Sequence, residues 1–270
     1  MASERMTIPE LHRMKRDGHK MVAMTAYDYE LARILDRAGP EMLLVGDSGA
    51  GYALGYADSA PVSVDEMVLL TRSVRRGTRR ALVVGDLPFM SYQASVEEAV
   101  RNAGRFVKEA GADAVKLEGG EDFAEQARAI VRAGIPVMGH IGLTPQTAIG
   151  VGGWHNQAAA PPEEQIRRDA LALQAAGAFS LVLTQVPPAL AAALTRELAI
   201  PTLAGGGAGD ACDGVVCVMH RVFGLTVDEL DAPRATYGPL ARPVFEVAAQ
   251  FLADLRAGRP VRSRGDAARA

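Results

Sequence analysis

The sequence predicts an α/β protein with a (β/α)8 TIM-barrel fold, and three observations predict it. Short apolar runs of strand length alternate with amphipathic stretches, the pattern of βαβ units around a parallel sheet. Eight such runs occur, which suits a closed barrel. An Ala-Gly pair precedes four of them, at Ala38-Gly39, Ala110-Gly111, Ala133-Gly134 and Ala176-Gly177, where glycine can adopt the left-handed conformation that ends a helix. The 270 residues fit one such barrel, 1–270, with an arginine-rich tail, about 259–270, expected to fray.

Taken in order, the strand candidates are Met21–Thr25, Met42–Gly46, Ala81–Gly85, Ala114–Glu118, Val137–Ile141, Ser180–Thr184, Pro201–Gly205 and Val215–Met219. Each is five residues of mostly β-branched or aliphatic side chains, as expected of strands buried on both faces. Between the third and fourth, Ser95 is placed to cap a helix running to Ala110, with Glu98 completing a capping box and Gly111 stopping it. Gly153–Pro162 lacks apolar periodicity and reads as a long loop after the fifth strand, on the side where loops act as lids. Pro239–Ala257 reads as a C-terminal helix.

Composition narrows the partners. Hydrophobic residues make up 49% and charged residues 23%, enough to build a packed core and too mixed for a disordered chain. A net charge of −3 offers no field to attract nucleic acid or an anionic membrane. No apolar h-region marks Met1 to Lys20 and no run of eighteen apolar residues occurs, so a cytoplasmic protein is expected. The two cysteines, Cys212 and Cys217, lack zinc spacing and read as reduced thiols, with Cys217 expected in the core.

In such barrels the active site forms at the carboxyl ends of the strands, and this chain puts ionisable residues there. Asp47-Ser48 follows the second strand and Asp86 the third, Lys116 and Glu118 finish the fourth, and His140 closes the fifth. Aspartates leaving neighbouring strands about 5 Å apart suit Mg²⁺ or another divalent metal, which takes one or two carboxylates and keeps water or substrate oxygens elsewhere. Alternatively, each aspartate caps the following helix. Lys116 and Glu118, two apart, share a face, where an ion pair would place the lysine beside an anionic substrate or form a structural bridge inside the barrel. His140 is either functional or a satisfied core histidine. Gly205-Gly206-Gly207-Ala208-Gly209 offers backbone amides to an anion, or is only a tight turn.

Together these residues resemble the ketopantoate hydroxymethyltransferase family of the phosphoenolpyruvate/pyruvate barrel superfamily. The resemblance runs from about Thr7 to Gly224 through Thr25-Ala26-Tyr27-Asp28, Val45-Gly46-Asp47-Ser48, Asp86-Leu87-Pro88-Phe89, Lys116-Leu117-Glu118-Gly119-Gly120 and Gly139-His140-Ile141-Gly142-Leu143-Thr144-Pro145-Gln146. It implies the first step of pantothenate synthesis, in which 5,10-methylenetetrahydrofolate gives a hydroxymethyl unit to 2-oxoisovalerate. It further implies that Asp47 and Asp86 bind Mg²⁺, which chelates the oxo acid, and that Glu118 supports the metal through its water shell. Ser48, Lys116 and His140 would contact the oxo acid, which Asp47 and Asp86 meet through the metal. A homo-oligomer, a ring-based decamer, is also implied.

The chain departs from the family pattern where the family carries a glutamate that takes the C3 proton, in a Val-Leu-Glu-x-Val-Pro string. Here the string is Val182-Leu183-Thr184-Gln185-Val186-Pro187, and neither Thr184 nor Gln185 can accept a proton near neutral pH, so the usual general base is absent. Gly49-Ala50-Gly51-Tyr52, Trp154-His155-Asn156-Gln157 and Met219-His220-Arg221 depart as well. Three readings follow. One is a hydroxymethyltransferase in which His155 or a metal-bound hydroxide replaces the glutamate. Another is a divergent metal-dependent aldolase, retro-aldolase or decarboxylase acting on another 2-oxo acid in specialised metabolism, for which cleavage makes an enolate without C–H abstraction. The third is a non-catalytic paralogue, which has no evident reason to keep charges in a barrel mouth.

Overall fold

A computed structural model of the chain describes residues 5–147, 161–234 and 237–259. Eight parallel strands close into a barrel in chain order. They are β1 (Met21–Thr25), β2 (Met42–Val45), β3 (Leu82–Asp86), β4 (Ala114–Glu118), β5 (Val137–Gly142), β6 (Ser180–Thr184), β7 (Thr202–Ala204) and β8 (Gly214–Cys217). All eight candidates are present, three with the bounds expected; β3 begins and ends one residue later, which brings Asp86 into the strand.

The alternation of side chains along a strand sets which residues line the barrel. Ala23, Met42, Leu44, Leu82, Val84, Ala114, Met138, Val182 and Leu203 meet in one buried cluster inside it. The helix Ile8–Asp17 packs on the same cluster, with Leu11 fully buried and Ile8 and Met14 beside it. Lys15 reaches Asp213 at 2.7 Å, and Asp213 in turn accepts from the amide that starts β7. The amino-terminal end of the barrel is thereby filled with apolar side chains and a paired charge. Chemistry is left to the opposite end.

The joints between helices and strands follow the sequence. Gly39, Gly111, Gly134 and Gly177 all have positive φ, between 75° and 96°. Ser95 caps the helix Val96–Lys108 by accepting from the Glu98 amide at 3.1 Å. A full capping box forms instead at Ser63 and Glu66, ahead of the helix Val64–Gly77.

The chain divides into two compact units, Met1–Cys217 and Val218–Ala270, and all eight strands belong to the first. The second contains short helices at Met219–Val222 and Asp228–Asp231 and a long one at Ala241–Arg256, where the C-terminal helix was expected. That helix exposes Val244, Phe245, Val247, Phe251, Leu252 and Leu255. Cys212 is buried, but Cys217 is only half-buried, contrary to the expected core position, because it is the last residue of β8, at the rim. The loop Gly153–Pro162, except its last two residues, and the tail from Arg259, except Arg259 itself, lie outside the described residues. Trp154 and the candidate base His155 lie outside them too.

Candidate active site

Strand register brings the ionisable residues together. On β3 and β4 Asp86 pairs directly with Lys116, and on β4 and β5 Glu118 pairs with His140, so each of these side-chain contacts joins facing neighbours across the sheet. All four follow inward-facing core residues at spacing two, Val84, Ala114 and Met138, and therefore face the barrel axis. Their relative exposures are only 1–5%.

Lys116 Nζ donates to both Asp86 carboxylate oxygens, at 2.7 and 2.8 Å, and to Glu118 Oε1 at 3.1 Å. Glu118 Oε1 also accepts from His140 Nδ1 at 3.0 Å, and Oε2 accepts from the Gln146 amide at 3.0 Å. The far side of the His140 ring, Nε2, lies 2.8 Å from Thr184 Oγ1. Asp47 stands just beyond β2, and its amide donates to Asp86 Oδ2 at 3.0 Å. Ser48 Oγ lies 2.8 Å from the Tyr27 hydroxyl. The predicted residues Asp47, Asp86, Lys116, Glu118, His140 and Thr184 thus belong to one contiguous network, with Ser48 adjacent to Asp47.

Neither capping alternative describes the aspartates. Asp86 spends its oxygens on Lys116 and the Asp47 amide, and Asp47 Oδ2 is buried without any hydrogen-bond partner. A buried, unpaired carboxylate oxygen is costly unless something compensates it. Beside a second carboxylate, it suits a hard divalent cation, which accepts two carboxylates and completes its shell with water and substrate oxygens. Among the described residues no three His, Cys, Asp or Glu side chains are arranged to hold a metal. Glu118 and Asp86 both meet protein donors through both oxygens, so Asp47 Oδ2 is the carboxylate oxygen of this network left open to a cation.

Sequence reasoning missed the brace behind Glu118. The buried Tyr92 hydroxyl lies 2.9 Å from both the Glu118 carbonyl oxygen and Gln146 Oε1, and accepts from the Glu118 amide at 3.1 Å. Gln146 Nε2 donates to the Leu87 carbonyl at 2.9 Å. Gln146 closes one of the motif strings, whereas Tyr92 sits in a loop and nothing in its surroundings marks it. The glycine run is used as structure: Gly205 N donates to Leu183 O and Gly206 O accepts from Gln185 N, both at 2.8 Å. Gly206, Gly207 and Gly209 have positive φ.

Three buried carboxylates share one ammonium, and their proton affinities separate. Burial pushes the Glu118 carboxyl up, but the Lys116 ammonium and the hydrogen bonds from His140 and Gln146 outweigh it and hold the group at about 2. Burial dominates at Asp86, and with the charges of Asp47 and Glu118 it overcomes Lys116 and lifts the group to about 7. Burial and the charge of Glu118 also raise Asp47. A group raised in the native state binds more protons there than in the unfolded chain, so its contribution grows as pH falls. The metal-free protein is therefore expected to gain stability as pH is lowered from about 7 towards the ordinary aspartate value of 3.8. Below pH 4.5 it then loses stability, because the unfolded chain's glutamate takes up a proton that native Glu118 refuses until about 2. Denaturant unfolding at a series of pH values checks this; stability that rises steadily from pH 5 to 8 would contradict it.

The chain is similar to known proteins over most of its length. The family model described as Ketopantoate hydroxymethyltransferase matches residues 5–260. The 3-methyl-2-oxobutanoate hydroxymethyltransferase of Moorella thermoacetica is 53% identical over 222 residues, covering 82% of each chain. That of Pelobacter propionicus is 46% identical over 257 residues, covering 94% of each. Among solved structures, a phosphonopyruvate hydrolase in complex with oxalate and Mg²⁺ has a TM-score of 0.63 at 15% identity, with 96% of this chain and 92% of that one covered. A 2,3-dimethylmalate lyase of the PEP mutase/isocitrate lyase superfamily has a TM-score of 0.62 at 18% identity, with 95% and 90% covered. At those identities the solved structures establish the fold alone.

Proposed function

The chain belongs to the ketopantoate hydroxymethyltransferase family, and on that premise we propose that it transfers a hydroxymethyl group from 5,10-methylenetetrahydrofolate to 2-oxoisovalerate, giving ketopantoate. The observation that carries the reading is the orphaned, buried Asp47 Oδ2 beside Asp86, at the end of the barrel where Lys116, Glu118 and His140 converge.

Asp47 and Asp86 would hold Mg²⁺, with Glu118 reaching it only through water. When bound, the metal supplies a Lewis acid that stabilises negative charge developing on the 2-oxo oxygen. Lys116 fixes Asp86 by gripping both its oxygens and brings positive charge to the site of an anionic substrate. Ser48, held by Tyr27, offers a hydroxyl to the oxo acid, and burial keeps the Tyr27 phenol protonated, its proton affinity raised to about 12. Burial of the network excludes water from the charges that must act on the enolate.

No described helix is long and apolar enough to cross a membrane, and the enzyme works in the cytoplasm. It assembles as a homo-oligomer, a decamer; the apolar side chains exposed on Ala241–Arg256 support association with further copies.

Turnover tests the reading. With Mg²⁺, 2-oxoisovalerate and methylenetetrahydrofolate, the purified protein is expected to form ketopantoate, followed by proton NMR, and to stop when the metal is chelated. Absence of ketopantoate together with cleavage or decarboxylation of another 2-oxo acid would replace this activity with a different enolate reaction.

A further inference from the structure

We propose that Thr184 is a catalytic residue whose hydroxyl removes the C3 proton of the bound oxo acid while passing its own proton to His140, with Glu118 behind the imidazole. The proposal rests on the oxo-acid reading above and names the group that performs its first step.

Strand pairing supplies the alignment. In the β5–β6 register His140 faces Val182 and Gly142 faces Thr184, so Thr184 lies one inward position beyond the residue opposite His140. Met138 and Val182, two residues before His140 and Thr184, both belong to the cluster inside the barrel. His140 and Thr184 therefore point to the same interior, and their side chains meet at 2.8 Å.

Chemistry fixes the direction of the line. Glu118 accepts from Lys116 and from the Gln146 amide and is held ionised, so its oxygen opposite His140 Nδ1 can only accept. Nδ1 must then carry the hydrogen, and in the neutral ring Nε2 is left as the acceptor. The sole proton available to Nε2 at this contact is that of Thr184 Oγ1. The result is the carboxylate–imidazole–hydroxyl order that activates a hydroxyl in hydrolases, aimed here at a proton rather than a carbonyl carbon.

Two further features single out Thr184. Glu118 and His140 are buried at 2% and 5% exposure, whereas Thr184 is half-buried, so it is the member of the line that reaches the open mouth. Gly205, at the end of β7, lies against it: a Cβ at position 205 would collide with Thr184 Oγ1. The absence of a side chain there makes room for the hydroxyl.

In the step itself the C3–H bond breaks and its electron pair becomes the C2–C3 π bond, as the carbonyl π pair moves onto the 2-oxo oxygen. The C3 proton goes to Oγ1 while the original hydroxyl proton goes to Nε2. Thr184 is left a hydroxyl, and the new imidazolium faces the Glu118 carboxylate. Neutral threonine alone is no base, and this line removes that objection without the loop residue His155.

The test is exchange of the C3 proton of 2-oxoisovalerate in D₂O with Mg²⁺, read by proton NMR, on wild type, Thr184→Val and Thr184→Ser. The hydrogen-bonded His140 Nδ1 proton is observed in the same proteins. Wild type is expected to exchange. Val, which keeps the shape without the hydroxyl, should lose about 10²–10⁴-fold with the Nδ1 signal intact, and Ser should stay within about tenfold of wild type. Exchange by the Val variant at the wild-type rate would overturn the proposal and leave the oxo-acid reading standing. Loss of exchange together with the Nδ1 signal would reduce Thr184 to a positioning residue and overturn it as well. A wild type that does not exchange at all would remove the oxo-acid reading and this proposal with it.

Discussion

Replacing Lys116 with Met is expected to destabilise the protein by about 3–5 kcal/mol at neutral pH, the cost of removing one partner from a buried ion pair. The long aliphatic stem would still pack among its neighbours, so the loss isolates the charge. Nζ is the only ammonium touching Asp86 and Glu118 among the described residues, and Asp47 lies within its electrostatic reach. Without it three carboxylates share a dry barrel mouth, and the least costly response is for one of them to take up a proton. The deficit should therefore shrink as pH is lowered towards 5, and shrink again when Mg²⁺ is added, because either change supplies positive charge. Denaturant unfolding of the variant with and without Mg²⁺ measures both effects. A loss below about 1 kcal/mol, or one indifferent to pH and metal, would mean that the network is not electrostatically coupled as described.

Asp47→Asn is expected to separate function from folding. In the metal-free protein Asp47 is a liability: its Oδ2 has no partner, and burial and the charge of Glu118 disfavour its ionised form. Removing that charge should leave the metal-free protein as stable as wild type or more so. Turnover should nevertheless fall on the order of a thousand-fold, since a bound cation contributes several kcal/mol of charge stabilisation and each 1.36 kcal/mol is about tenfold in rate. Unfolding curves and turnover numbers together decide the matter. A variant that is strongly destabilised without metal would show that Asp47 is structural.

Most of this architecture was legible in the sequence, because buried parallel strands must be apolar on both faces and helix ends need glycine. The ionisable side chains at strand ends were legible for the converse reason: Lys116 and Glu118 interrupt an apolar strand in which unpaired charges would be prohibitively costly. What the sequence left hidden depends on register and on distant loops. That Thr184 touches His140 follows from a β5–β6 offset of one inward position, which no local pattern encodes. Tyr92 and Gln146 meet behind Glu118 from positions 54 residues apart in the chain. The core assignment of Cys217 failed because an apolar run does not reveal which of its residues ends at the rim.

The account's central claim, that Asp47 and Asp86 form a divalent-metal site for an oxo acid, is tested most directly by titrating the wild-type protein with Mn²⁺ as a paramagnetic stand-in for Mg²⁺. The account predicts one site per chain that Mg²⁺ competes for, that tightens when 2-oxoisovalerate is present, and that is lost in Asp47→Asn. Mn²⁺ binding that is absent from wild type, or that survives unchanged in Asp47→Asn, would contradict it.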